Sequence, residues 1–154
     1  MLVFGRFLYY GKSFVGGADG LSQVAPTMQY TGQYYRALLK NILQGNLQIP
    51  MWDMSIGFGM NILQVISFDP VYILCSALFV HNIAIGIAIY DMLCLYLAGV
   101  MFIALCYNLG CNRYAALAAA LAYIFNGYIL NYCMAQNSFL RLFIVLPIML
   151  LGAN

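Results

Sequence analysis

The chain has 154 residues, of which 65% are hydrophobic and only 6% are charged, whereas soluble domains carry about 25% charged residues. A soluble core of this size could not bury so much apolar surface, so we expect lipid to solvate part of it. The net charge of +2 is too small to indicate a nucleic-acid partner. The composition therefore predicts an all-α integral membrane protein and excludes a nucleic-acid-binding one.

The first part of the chain, residues 1–82, is predicted to be a loop region that precedes the membrane spans. Residues 11–27 are rich in Gly and small polar side chains, which indicates a loop. Between residues 28 and 44, apolar side chains recur every three or four positions, which predicts an amphipathic helix that stops at Gly45. A basic, Tyr-rich helix of this kind suits contact with membrane lipids, although a surface helix of a soluble domain has the same pattern.

Two further segments complete this region. Residues 46–70 contain two Pro and two Gly residues and are predicted to form a second loop. Residues 71–80 are apolar but shorter than the roughly 20 residues that cross a bilayer, so we expect a re-entrant or interfacial helix there. His81 is the only histidine, and at a helix boundary it is predicted to be an interfacial polar residue rather than a ligand.

Three apolar segments then predict transmembrane helices at about 83–109, 114–130 and 139–154, the last of them truncated. Together they would form a multi-pass helical bundle. Asp91 lies near one end of the first segment, so we expect the helix itself to start around Tyr90, with residues 83–89 in the interface, and Asp91 to cap it. The Asn126-Gly127-Tyr128 run interrupts the second segment and would either line a cavity or mark the end of the helix.

Two elements of the loop region occur in an order typical of one bacterial family. The first, GG-D---Q, covers residues 16–23, and the second, P-WD--IG-G, covers residues 50–59. Later matches follow in the same order: Asp69-Pro70, Tyr90-Asp91, Leu97-Ala98-Gly99, Leu109-Gly110, Ala122-Tyr123, Phe125-Asn126-Gly127-Tyr128, Leu146-Pro147 and Leu150-Leu151-Gly152. Over nearly its whole length the chain resembles the YfhO family of bacterial membrane proteins.

The resemblance implies a multi-pass glycosyltransferase of the GT-C type in the bacterial cell membrane. Such an enzyme takes a sugar from a polyprenyl-phosphate carrier, and the implied acceptor is a cell-envelope polymer such as teichoic or lipoteichoic acid. Residues 1–82 would then lie on the extracytoplasmic side. Family members have a span before the GG-D element and many helices beyond the equivalent of Gly152, so we expect this chain to be a fragment. Asn61 departs from the family, which has an acidic residue there.

By the same resemblance, Asp19 is the catalytic carboxylate. Its task would be to accept the proton of the acceptor hydroxyl as that oxygen attacks the anomeric carbon. An Asp beside glycines also commonly caps a turn, which is the alternative. Asp53 is predicted as a second carboxylate that orients the acceptor or binds a divalent cation, with a loop hydrogen bond as its alternative.

Four more residues are predicted to bind substrate. Arg36 and Lys40 lie on the polar face of the amphipathic helix, where they would attract a lipid phosphate or anionic headgroups in general. Trp52 would stack on a sugar ring or belong to the interfacial aromatic belt. Gln23 would donate a hydrogen bond to the substrate.

Two other functions remain open from the sequence. A lipid or solute transporter usually has its polar residues within broken spans near the midplane of the membrane, whereas here the polar residues precede the spans. The other possibility is a non-catalytic remnant of a truncated gene, in which the groove for the lipid carrier is incomplete.

Overall fold

The computed structural model describes residues 9–10, 15–17, 19–46 and 48–153, and this part of the chain is mostly helical. Its α-helices are α1 (Ala25–Leu43), α2 (Ile62–Val65), α3 (Pro70–Leu78), α4 (Ile83–Asn108), α5 (Arg113–Ile124) and α6 (Leu140–Gly152). Shorter helical turns are the π-helical turns Gly20–Val24 and Ile129–Cys133 and the 3-10 turn Asn137–Phe139. The strands are β1 (Trp52–Asp53) and β2 (Met60–Asn61).

The amphipathic helix begins earlier than predicted. Residues 20–27, expected to be a loop, are helical, because the first π-helical turn runs directly into α1. Val24 and Met28 on this segment are buried in the hydrophobic core, so tertiary packing outweighs the low helix propensity of the glycine-rich sequence. Residues 11–14 and residue 18 of the predicted loop lie outside the described part of the chain.

The second predicted loop contains a small hairpin, which departs from an all-α fold. Trp52 pairs with Asn61 and Asp53 pairs with Met60 in an antiparallel register. The connecting turn includes Phe58 with a φ of 62°, flanked by two glycines that also have positive φ. The short helix α2 follows β2 directly.

Helices α1, α3 and α4 pack closely together because glycines lie at their contacts. A Cβ added to Gly32 of α1 would overlap the carbonyl oxygen of Ser76 in α3. A Cβ added to Gly86 of α4 would lie 3.0 Å from Cβ of Phe79. Small residues at such positions let helix backbones approach each other. The core cluster, which includes Tyr90, is centred on these three helices and α6.

Within the described residues, α4 is the one helix long and apolar enough to cross a membrane, judged by length and composition. Its bounds agree with the predicted segment 83–109. Of the second predicted segment, 114–130, α5 covers the part up to Ile124, and a π-helical turn begins at Ile129. The side chain of Asn126 donates to the Tyr123 carbonyl and accepts from the amide of Ile129, and so stabilises the break. The polar run therefore marks a helix end.

The prediction that Asp91 caps a helix is also wrong. The helix starts at Ile83, so Asp91 lies in its third turn, where its side chain is completely buried. The buried side chain of Asn137 is its polar neighbour. An ionisable group in this position within an apolar helix is unusual and points to a function.

Candidate functional site

A polar cavity of about 510 Å³ lies where the start of α1, the segment between α2 and α3, and the start of α6 meet. This volume is within the range of roughly 300–1,000 Å³ that is usual for ligand pockets. The polar side chains that line it include Gln23, Gln64, Asp69, Gln136, Asn137 and Arg141. The cavity thus combines carboxamide groups with one carboxylate and one guanidinium.

Asp69 connects the cavity to α3 and α4. Its Oδ1 accepts from the backbone amides of Val71 (2.9 Å) and Tyr72 (3.3 Å), which caps α3. Its Oδ2 accepts a 2.9 Å hydrogen bond from the Tyr90 hydroxyl in α4. The following Pro70 occupies the first position of α3, where its missing N–H is not needed. The carboxylate is therefore held rigidly at the cavity wall.

Arg141 in α6 is held less tightly. Its Nε lies 3.9 Å from Oδ2 of Asp69, and its guanidinium nitrogen Nη1 lies 3.4 Å from Oγ of Ser67. Both distances are long for charge-assisted contacts. The Arg141 side chain is 40% exposed, so its guanidinium can donate to an additional acceptor in the cavity, such as a phosphate or a sugar hydroxyl.

The inner wall of the cavity contains a buried amide that faces a buried carboxyl. Asn137 lines the cavity but is only 4% exposed. The buried carboxyl of Asp91 in α4 is its polar neighbour. The pair of side chains therefore connects the inner wall of the cavity to α4.

Of the predicted site residues, Asp19 and Gln23 are brought together at this cavity. Nε2 of Gln23 donates to Oδ1 of Asp19 over 3.3 Å, because four residues of helix place the two side chains on one face. Gln23 lines the cavity, whereas Asp19 is exposed one turn earlier. The Asp19 side chain makes no capping hydrogen bond to the π-helical turn.

Asp53 occupies a different environment. Its Oδ1 accepts from the backbone amide (2.8 Å) and the hydroxyl (2.7 Å) of Ser55, and its Oδ2 accepts from the Tyr30 hydroxyl (2.8 Å). The Ser55 hydrogen bonds, followed by that of Tyr30, hold the pKa of Asp53 below its usual value. Burial and the contact with Asp53 raise the pKa of Tyr30 to about 12. Asp53 thus joins the hairpin to α1 and is not among the residues that line the polar cavity.

The remaining predicted residues also lie away from the polar cavity. Trp52 is exposed, with its Nε1 3.2 Å from Sδ of Met54. Nε of Arg36 donates to the Ala77 carbonyl over 2.6 Å, at an apolar groove between α1 and α3. Lys40 is exposed on α1. Across the described ranges, no group of three or more His, Cys, Asp and Glu side chains is arranged to hold a metal ion.

Three residues of the site were not predicted from the sequence: Asp69, Asn137 and Arg141. Asp69 precedes a proline, the pattern of a helix N-cap, and Arg141 is the only charged residue in the last apolar segment. Both signals are visible in the sequence, but neither indicates that the two residues meet.

Comparison of the chain with protein-family models, with curated proteins and with solved structures gives no match.

Proposed function

We propose that this chain is part of a multi-pass bacterial membrane glycosyltransferase of the GT-C type. The enzyme would transfer a sugar from a polyprenyl-phosphate carrier to a cell-envelope polymer such as teichoic or lipoteichoic acid. The observation that carries the proposal is that Gln23, hydrogen-bonded to Asp19, lines a polar cavity whose Asp69 accepts a hydrogen bond from Tyr90 of the apolar helix α4. A lipid-linked sugar has a polar head and an apolar tail. In this proposal the polar cavity binds the head and the apolar surface of α4 contacts the tail.

Asp19 is the proposed general base. Its exposed carboxylate takes the proton of the acceptor hydroxyl while that oxygen forms a bond to the anomeric carbon of the sugar. The bond between the anomeric carbon and the phosphate oxygen breaks, and its electron pair leaves with the polyprenyl phosphate. Gln23, which lines the cavity, donates a hydrogen bond to the Asp19 carboxylate, and this contact would position the base for the reaction.

The deeper part of the cavity would bind the donor. Arg141 offers guanidinium N–H groups, which are suited to phosphate or sugar oxygens. Asp69 keeps Arg141 facing the cavity. Asp53 has a positioning role in this proposal, since its hydrogen bonds hold the hairpin against α1.

A membrane transporter is the second candidate, and the burial of Asp91 within α4 favours it. Transporters have ionisable side chains at such depths along the path of an ion or substrate. Substrate uptake that survives Asp19→Asn and is lost in Asp91→Asn would support transport over sugar transfer.

Donor binding can be tested at Gln23. In a Cys111→Ser background of the complete protein, Gln23→Cys would be labelled with a membrane-impermeant maleimide in the presence or absence of polyprenyl-phosphate glucose and related lipid-linked sugars. We expect one of these donors to slow labelling at position 23 several-fold. The matched control is Gln33→Cys, exposed on α1 and outside the cavity, which should be unaffected. Equal labelling rates at position 23 with and without every donor would contradict the proposal.

A further inference from the structure

A second cavity lies between α1 and α3 and differs from the polar one in its lining. It is a groove of about 430 Å³ whose walls are mainly apolar, with Leu39 and Ile42 from α1 and Ile73 and Leu74 from α3. Leu39 and Leu74 are each 59% exposed, so the groove is open to its surroundings. Contiguous exposed apolar surface of this kind marks a binding site for a lipid or a protein.

The edge of this groove is positively charged. Arg36 lines it and is fixed there by the hydrogen bond from its Nε to the Ala77 carbonyl of α3. Lys40 is one helical turn further along α1, on the same side of the helix. Neither α1 nor α3 contains an Asp or Glu residue. Both cations are therefore available to an anion at the mouth of the groove.

We propose that this groove binds an acyl chain of an anionic phospholipid, with the lipid phosphate held by Arg36 and Lys40. An apolar groove with two cations at its mouth complements an amphiphile that has a negatively charged head. A second copy of the chain, docked by the same surface, would bring its own Arg36 and Lys40 against these cations, and like charges in that position repel. The inference is independent of sugar transfer, because none of these residues lines the polar cavity.

Photo-crosslinking tests the occupant of the groove. The complete protein would be reconstituted in phosphatidylcholine vesicles that contain a trace of phosphatidylglycerol or phosphatidylcholine with a diazirine in the acyl chain. We expect phosphatidylglycerol to label peptides of α1 and α3 at least three-fold more strongly than phosphatidylcholine does. Arg36→Gln combined with Lys40→Gln should abolish this preference.

A second variant tests the groove itself. Leu74→Trp should fill it and reduce labelling of α1 and α3 several-fold, whereas Leu142→Trp, at an equally exposed apolar position on α6, should not. Equal labelling by the two lipids, or labelling unchanged by Leu74→Trp, would overturn the proposal. A protein–protein crosslink through α1 and α3, formed when a bifunctional reagent replaces the photoreactive lipid, would also overturn it, since a second copy would then occupy the groove.

Discussion

The Tyr90 hydroxyl in α4 donates a 2.9 Å hydrogen bond to Oδ2 of Asp69, whose other oxygen caps α3. The rings of Tyr90 and Tyr72 also meet edge to face, with centroids 5.1 Å apart. Through these contacts the long apolar helix fixes the carboxylate that faces the polar cavity. Arg141, 3.9 Å from the same oxygen, is positioned by them in turn.

Tyr90→Phe should destabilise the protein by about 1–2 kcal/mol, because a nearly buried carboxylate loses a hydrogen-bond donor while the ring packing is kept. Thermal unfolding of the purified protein in detergent, followed by circular dichroism, measures the change. Tyr96→Phe is the matched control, since Tyr96 lies on the same helix with 67% of its surface exposed. Equal losses in the two variants would show that the Tyr90 hydrogen bond contributes nothing to stability.

Gly32→Ala should destabilise the contact between α1 and α3 by about 2 kcal/mol or more, because the new methyl group would overlap the Ser76 carbonyl. In an exposed helix, a change from Gly to Ala would instead stabilise the helix by about 1 kcal/mol. Gly152→Ala provides that comparison, since a Cβ there meets nothing within 4 Å. The melting temperatures of both variants test this, and a Gly32→Ala protein as stable as the wild type would refute the close helix packing.

The hairpin should depend on pH through Asp53 and Tyr30. The folded-state pKa of Asp53 is lowered, so its contribution to stability is present above the unfolded pKa of about 3.9 and is lost as the pH falls further. The pKa of Tyr30 is raised to about 12, so its contribution is present below about pH 10 and is lost towards pH 12.

Trp52, the only tryptophan, reports on this hairpin because it precedes Asp53 in β1. Its fluorescence should stay constant from about pH 5 to 9 and change below about pH 4. Asp53→Asn should remove the acid transition, whereas Asp19→Asn should leave it in place. An acid transition that persists in Asp53→Asn would mean that another group controls the hairpin.

The helices α3 and α4 could be predicted from the sequence because their signals are local. An unbroken apolar segment predicts α4, and the pattern of Asp69 before Pro70 predicts the start of α3. The early start of α1 could not be predicted in this way. Val24, expected to lie in a loop, is helical because it packs against distant residues of the core, and local composition does not contain that information.

The contacts of the candidate site also fall into those that local sequence patterns predict and those that they do not. Asp19 and Gln23 are four residues apart, so a helix is enough to bring them together. Arg141 and Ser67 are 74 residues apart, and no local pattern indicates that they meet. The burial of Asp91 also depends on the position of a helix boundary, which sequence patterns define poorly.

The measurement that tests the central claim most directly is sugar transfer by membranes that contain the complete protein. Donors labelled in the sugar and linked to polyprenyl phosphate would be supplied with lipoteichoic acid, and transfer would be compared for wild type, Asp19→Asn and Asp53→Asn at equal protein levels. We expect transfer by the wild type, a loss of at least 100-fold in Asp19→Asn, as for removal of a general base, and a smaller loss in Asp53→Asn. Wild-type rates in Asp19→Asn would contradict the account.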